Sequence, residues 1–164
     1  MPSKKNTKYL SLLVLFFTFT FGFSQNTTKF KVVLDAGHGG KDPGAVKNGI
    51  KEKDVVLDVV LKIGKILEKN KNIEVIYTRK TDIFIGLRER ANIANKAKAN
   101  LFISVHCNGV KSTAAKGTET FVMGMSRTDT NLDIAKKENG VIFLEKDYNE
   151  KYKGFDPNNP ETLL

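Results

Sequence analysis

The chain has only two histidines, His38 and His106, and each follows an apolar run that reads as a strand. His38 sits in the run Gly37-His38-Gly39-Gly40, just after the apolar residues Val32, Val33 and Leu34. His106 directly follows a second apolar run, Leu101 to Val105, and Glu52 opens a stretch with helical periodicity. Two imidazoles and a carboxylate form the ligand set of a catalytic zinc site, with three protein groups and a fourth position left to water. Glycines around His38 would let the backbone fold tightly round such an ion. Each residue also has a plainer use. A loop histidine can be a surface or hydrogen-bonding group, and a glutamate at a helix start is favoured by the helix dipole alone. Spacing leaves both readings open; the metal reading gains from the meeting of both histidines at one edge.

That meeting depends on the elements that carry them. Phe30 to Asp35 reads as a continuous buried strand, followed by a glycine-rich loop over residues 36–51 with the turn pair Asp42-Pro43. From Glu52 to Asn70 the pattern is helical. Val56, Val59, Val60, Ile63, Ile66 and Leu67 share one face, and Asp58, Lys62, Lys65 and Lys69 the other. Ile73 to Thr78 is a second strand. Leu87 to Lys98 is a second helix with an inner face of Leu87, Ala91, Ala94 and Ala97, Leu101 to Val105 a third strand, and Thr118 to Met123 a fourth. The alternation predicts an α/β fold, a twisted and mainly parallel sheet flanked by helices with a βαβαβ core. Functional groups in such sheets gather beyond the carboxyl ends of the strands, which is where His38, Glu52 and His106 all fall.

The 164 residues suffice for one ordinary domain. Residues 1–24 read as a secretory signal peptide: Lys4, Lys5 and Lys8, an apolar run from Leu10 to Phe23, then small Gly22 and Ser24 before a cut at Gln25. The run is short for a membrane span, so no stable span is expected after cleavage. The net charge of +9 suits an anionic surface such as a cell wall, and its spread lacks the aromatic interleaving of a nucleic-acid groove. Cys107, the lone cysteine, has no internal disulfide partner.

The stretches "VVLDAGHGGKDPGA", "KEKDVVLDVVLKIGKIL" and "YTRKTDIFIGLRERANIANKAKANLFISVHCN" together resemble the zinc-dependent N-acetylmuramoyl-L-alanine amidases of the AmiC type, from about Lys31 to Met123. The resemblance implies residues 25–164 as the amidase catalytic domain and His38, Glu52 and His106 as zinc ligands. It also implies cleavage, in peptidoglycan, of the amide between N-acetylmuramic acid and L-alanine by an exported enzyme of the periplasm or wall. The family's general base is a second glutamate on a late strand reading roughly Pro-x-x-Leu-x-Glu. No such stretch occurs here, so that glutamate is expected beyond Leu164, and Glu119, in "KGTETF", is a weak stand-in. With Asn159-Pro160-Glu161 resembling a fresh helix start just before Leu164, the domain is expected to be incomplete, its last strand or strands missing, and inactive alone.

Residues 125–164 correspond to a segment that in some family members forms a regulatory helical insertion over the zinc cleft, moved by an activator protein. A helix over Thr130 to Leu144 would fit, with Glu138 and Glu145 able to approach the metal; an ordinary surface helix is the alternative. Cys107 and His106 point to opposite faces of a strand, which disfavours a Cys-His nucleophile pair and leaves Cys107 a small buried residue. Arg90 and Arg79 are expected in structural ion pairs. Two other readings stay open, a wall-binding or regulatory domain that does not cut and a different secreted metallohydrolase on a similar sheet.

Overall fold

The computed structural model describes residues 28–108, 114–122, 129–156 and 159. The expected leader over residues 1–24 lies outside them, as do Pro160 and Glu161 of the expected helix start. Leu164, beyond which the general-base glutamate is expected, lies outside them too. The central sheet contains β1 (Phe30–Ala36), β4 (Ile73–Tyr77) and β5 (Leu101–Val105), all parallel, in the order β4-β1-β5. Helix α1 (Glu52–Leu67) joins β1 to β4, and α2 (Leu87–Ala97) joins β4 to β5. The chain steps from β1 to one neighbour and then back past β1 to the other. Two right-handed crossovers of that kind put their helices on opposite faces. Side-chain alternation along β1 agrees: Val32, Leu34 and Ala36 pack with Val56 and Val60 of α1, while Asp35 meets Arg90 of α2 on the other face. The strand order reverses at β1, so the cleft beyond the carboxyl ends of β1 and β5 is where this architecture places ligands.

Most elements fall where the sequence puts them, with instructive exceptions. Helix α1 ends at Leu67, and Val59 and Ile66 of its expected inner face are exposed. Gly64 completes that inner face instead, because a Cβ there would lie 1.8 Å from the Tyr77 hydroxyl. In α2 the expected inner residue Ala91 is exposed and Arg90 is buried. One residue is a rotation of about 100° on a helix, enough to exchange the two. The loop before α1 holds a small hairpin, β2 (Val46–Lys47) and β3 (Ile50–Lys51), turned by Asn48 and Gly49 at φ 54° and 79°. Asn-Gly with both φ positive is the type I′ hairpin signal, which the reading of residues 36–51 as loop passes over.

The fourth strand expected at Thr118 to Met123 is not formed: residues 118–122 carry no strand, and Met123 lies outside the described residues. Phe121 and Val122 are exposed there, so the apolar alternation has no sheet to pack on among the described residues. The helix expected over Thr130 to Leu144 is α3 (Asp129–Asn139), followed at Gly140 by a 3-10 turn (Gly140–Leu144). A short helix α4 (Tyr148–Lys151) then lies in the polar tail. No helix among the described residues is long and apolar enough to cross a membrane.

Candidate metal centre

The end of β1 delivers the first candidate ligand. The Gly37 amide donates to the Val105 carbonyl at 3.1 Å, holding the loop's first residue against β5. The next three residues, His38, Gly39 and Gly40, have φ of 57°, 126° and 56°. A histidine in this left-handed region is uncommon, and such strain collects at functional sites. The loop closes through reciprocal backbone bonds between Gly39 and Asp42 of 2.9 and 3.1 Å. Two glycines are required by close approach: a Cβ on Gly37 would lie 2.4 Å from the His106 ring. One on Gly44 would lie 2.6 Å from His38 Cδ2 and 2.8 Å from Glu52 Cβ.

Glu52 opens α1, and its backbone and carboxylate are both fixed. Its amide donates to Ala45 O, its Oε2 accepts from the Ala45 amide at 2.9 Å, and its Oε1 from the Cys107 amide at 2.6 Å. Only 3% of the residue is exposed. His106, immediately after β5, brings Nδ1 to 3.2 Å from His38 Nε2 and 3.3 Å from Glu52 Oε1, and His38 Nε2 lies 3.1 Å from the same oxygen. The structure thus brings together all three residues singled out from the sequence.

Glu138 of α3 joins them, its Oε2 lying 2.9 Å from His106 Nδ1 and 3.3 Å from His38 Nε2. The four ligand atoms all fall within 4.8 Å of one another. Tetrahedral zinc with bonds of about 2.0–2.1 Å spaces its ligands about 3.3–3.4 Å apart. Five of the six separations, from 2.9 to 3.3 Å, are close to that value. Two carboxylates balance a dication while two imidazoles give lone pairs, so the residues present fit zinc in number and type, and His38, Glu52 and His106, mutually 3.1 to 3.3 Å apart, fit it in spacing. Asp42 completes the surround, its Oδ2 2.8 Å from His38 Nδ1, where a carboxylate orients the ring and leaves Nε2 free to bind.

The same groups hold protons tightly when no ion is there. Burial opposes charge on His38, yet its bonds to Asp42, Glu138 and Glu52 prevail and raise its pKa from 6.5 to about 11. His106, opposed by burial in the same way, rises to about 9 through Glu138 and Glu52. Burial alone would push Glu138 up, but the two imidazoles hold it at about 2. Glu52 is held well below the usual range against its burial by His106, His38 and the Cys107 and Ala45 amides.

Other expectations divide. Glu145 does not approach the cluster: its Oε1 accepts from the Leu87 amide at 2.9 Å and the Tyr152 hydroxyl at 2.6 Å, capping α2 in place of Gly86, which has no side chain to do so. Glu119 is exposed, 3.3 Å from the Asn108 side-chain amide, and outside the cluster, so the stand-in for a general base beyond Leu164 does not reach the centre. Cys107 is half-buried against the core, and burial with Glu52 beside it pushes its thiol up, which is unfavourable for a nucleophile. Arg90 forms the expected ion pair, with Asp35 at 2.7 Å, where Thr78 and Ser104 also donate. Arg79 forms none among the described residues; its donors end on backbone carbonyls. A carboxylate four residues beyond His38 was the sequence signal for Asp42, which sequence reasoning missed.

The chain matches the family described as N-acetylmuramoyl-L-alanine amidase over residues 32–162. The endolysin of Bacillus phage SPP1 is 53% identical over 90 residues, covering 55% of this chain and 32% of that protein. The probable N-acetylmuramoyl-L-alanine amidase AmiB of Haemophilus influenzae is 38% identical over 123 residues, 73% of this chain and 28% of its own length. The chain therefore spans about a third or less of these two curated relatives. Among solved structures, the catalytic domain of CwlV, an N-acetylmuramoyl-L-alanine amidase of Bacillus (Paenibacillus) polymyxa var. colistinus, is similar at TM-score 0.50 and 44% identity, over 52% of this chain and 49% of that one. An N-acetylmuramoyl-L-alanine amidase of Clostridium difficile 630 is similar at TM-score 0.50 and 29% identity, over 71% and 64%. The family match takes in His38, Glu52, His106 and Glu138 together, and the chain belongs to the N-acetylmuramoyl-L-alanine amidase family.

Proposed function

We propose that the protein is an exported, zinc-dependent hydrolase of peptidoglycan that cuts the amide between N-acetylmuramic acid and L-alanine, in wall remodelling and daughter-cell separation. The observation that carries this reading is the convergence of His38, Glu52, His106 and Glu138, ligand atoms within 4.8 Å of one another, in a chain of the amidase family. His38, Glu52 and His106 would hold the ion. When bound, zinc supplies Lewis acidity, polarising the scissile carbonyl and lowering the pKa of water to about 7. The chain's own part is to fix the ligands: Asp42 orients His38, and the Ala45 and Cys107 amides pin the Glu52 carboxylate. The reaction also needs a general base, and among the described residues Glu119 does not reach the centre. Glu138 stands where catalysis needs an open position, since catalytic zinc sites keep one ligand place for water and structural sites fill it. We read residues 125–164 as a regulatory insertion whose α3 closes the centre until an activator protein displaces it.

A filled fourth position also favours a second reading, an amidase-like domain that binds wall glycopeptide without cutting it. One experiment separates the two. The full-length protein, supplied with zinc, is incubated with purified wall, and new amino termini and reducing ends are counted. Free L-alanine amino termini that vanish in His38→Ala and with a chelator support the amidase reading. Binding to wall with no new termini, even after deletion of residues 128–156, supports the second. New reducing sugar ends would refute both.

A further inference from the structure

Arg79 is the largest fully buried side chain, at 2% exposure, and its guanidinium makes no ion pair among the described residues. Its nitrogens donate instead to four carbonyls. Nε reaches Ala36 O at 2.9 Å and Nη1 reaches Thr81 O at 3.3 Å. Nη2 is shared between Gly37 O at 2.7 Å and Lys53 O at 2.8 Å. Removing a guanidinium from water without a counter-charge is unfavourable, and burial accordingly lowers its pKa. Such a group persists where a rigid planar fork is needed to hold several acceptors at fixed angles, which a lysine ammonium cannot reproduce.

The acceptors say what is being held. Gly37 immediately precedes His38 and Lys53 immediately follows Glu52, so one nitrogen of Arg79 ties together the two segments that present these ligands. The loop is shaped to admit the fork: a Cβ on Gly39 would come to 3.0 Å from Arg79 Nε and 2.2 Å from Ile83 O. Arg90 assists from the opposite side, donating to Ala36 O and His38 O at 2.8 Å each, but makes no such link to α1. We propose that Arg79 is a positioning residue of the metal centre, which sets the separation of His38 and Glu52 through its bridge between the Gly37 and Lys53 carbonyls. The proposal rests on reading the cluster as a metal centre.

The test compares Arg79→Lys, which keeps the charge and loses the fork, with Thr78→Val in the full chain. Thr78 donates to the buried Asp35 carboxylate at 2.6 Å beside the same sheet end and touches neither ligand-bearing segment. Zn2+ affinity is measured by chelator competition, Co2+ geometry by the visible d–d bands, and folding by thermal unfolding of the metal-free chain. Arg79→Lys should weaken Zn2+ binding by about 10- to 100-fold, the range for groups that orient ligands, and should alter the Co2+ bands. Thr78→Val should lower the unfolding midpoint and leave both metal readouts at the parent's values. Arg79→Lys with parental affinity and bands overturns the proposal, as does a loss of affinity that follows the loss of stability alike in both variants. A measurement on the unmodified metal-free chain stands apart from the folding of either variant. The Arg79 Nε–H should exchange with water far more slowly than that of the exposed Arg88, and equal rates overturn the proposal. A parent chain that binds no Zn2+ overturns the metal reading along with it, which is distinct from a parent that binds and an Arg79→Lys variant that binds equally well.

Discussion

Replacing Glu138 by alanine should weaken zinc binding and at the same time speed wall hydrolysis. Glu138 Oε2 faces both imidazoles, at 2.9 and 3.3 Å, with its side chain 17% exposed. A hydrogen bond to a charged group contributes about 1.5–3 kcal/mol. Both contacts share one oxygen and do not add fully, so about 2–3 kcal/mol is a fair value for docking this carboxylate. At about 1.4 kcal/mol per tenfold, its removal moves the balance between docked and undocked α3 by roughly 30- to 140-fold. Hydrolysis by the zinc-loaded full-length protein should rise by a factor of that order, read as dye released from labelled wall. Zinc affinity, read by chelator competition, should fall in the same variant. Opposite signs are the signature of a group that both binds and blocks. If affinity and hydrolysis fall together, Glu138 is a required ligand and the blocking argument is wrong; if neither changes, α3 does not contact the centre in solution.

Gly44→Ala should abolish metal binding in a chain that still folds, since φ is 66° and the new methyl would press on His38 and Glu52; calorimetric titration with zinc checks it. In the metal-free chain the raised histidines contribute stability that is full below pH 6.5 and lost as pH rises through about 9 and 11. Glu138, depressed to about 2, contributes stability present above pH 4.5 and lost as pH falls through about 2. Zinc must displace those histidine protons, so the gain in unfolding temperature on adding zinc should grow from pH 6 to pH 9, followed by scanning calorimetry. Tyr152→Phe deletes the hydroxyl that donates to Glu145 and accepts from the Arg88 amide, and should loosen the α3 segment by about 1 kcal/mol, raising basal hydrolysis a few-fold and lowering zinc affinity by less than Glu138→Ala does. Export predicts a mature N-terminus at or near Gln25 in secreted material, read by N-terminal sequencing.

The apolar runs made β1, β4, β5 and both crossover helices legible, because a parallel sheet buried on two faces needs continuous apolar strands and helices of fixed length between them. The convergence of His38, Glu52 and His106 followed from that topology alone. What escaped was set by contacts distant in sequence. Arg79 looks like any arginine after a strand, and only the folded loop shows that its partners are carbonyls. Arg90 displaced Ala91 from the inner face of α2 because Asp35, on a central strand, needs a buried counter-charge. Thr118 to Val122 has a strand's alternation without a neighbour to pair with among the described residues, and β-pattern is realised only against a partner. Glu138 and Glu145 were equivalent in sequence. The 3-10 turn at Gly140 separates them, sending one carboxylate to the histidines and the other to the amide of Leu87.

That separation bears on how the centre could open. From Asp133 to Asn139 of α3 only Asn139 is buried, with Ile134 and Ala135 half-buried, so this stretch contributes little buried apolar area around Glu138. The firm hold comes after it. Ile142 is fully buried, Glu145 caps α2, Tyr152 packs under Arg88, and Lys41 donates to the Leu144 carbonyl. Among the described residues the segment is thus anchored at its far end by buried and capped groups, and it meets the histidines through the Glu138 carboxylate. Regions with few buried apolar contacts open at low free energy, whereas capped and buried ones stay closed. Loss of the Glu138 contact would therefore release α3 from the histidines while Glu145 and Tyr152 keep it tethered beside the cleft.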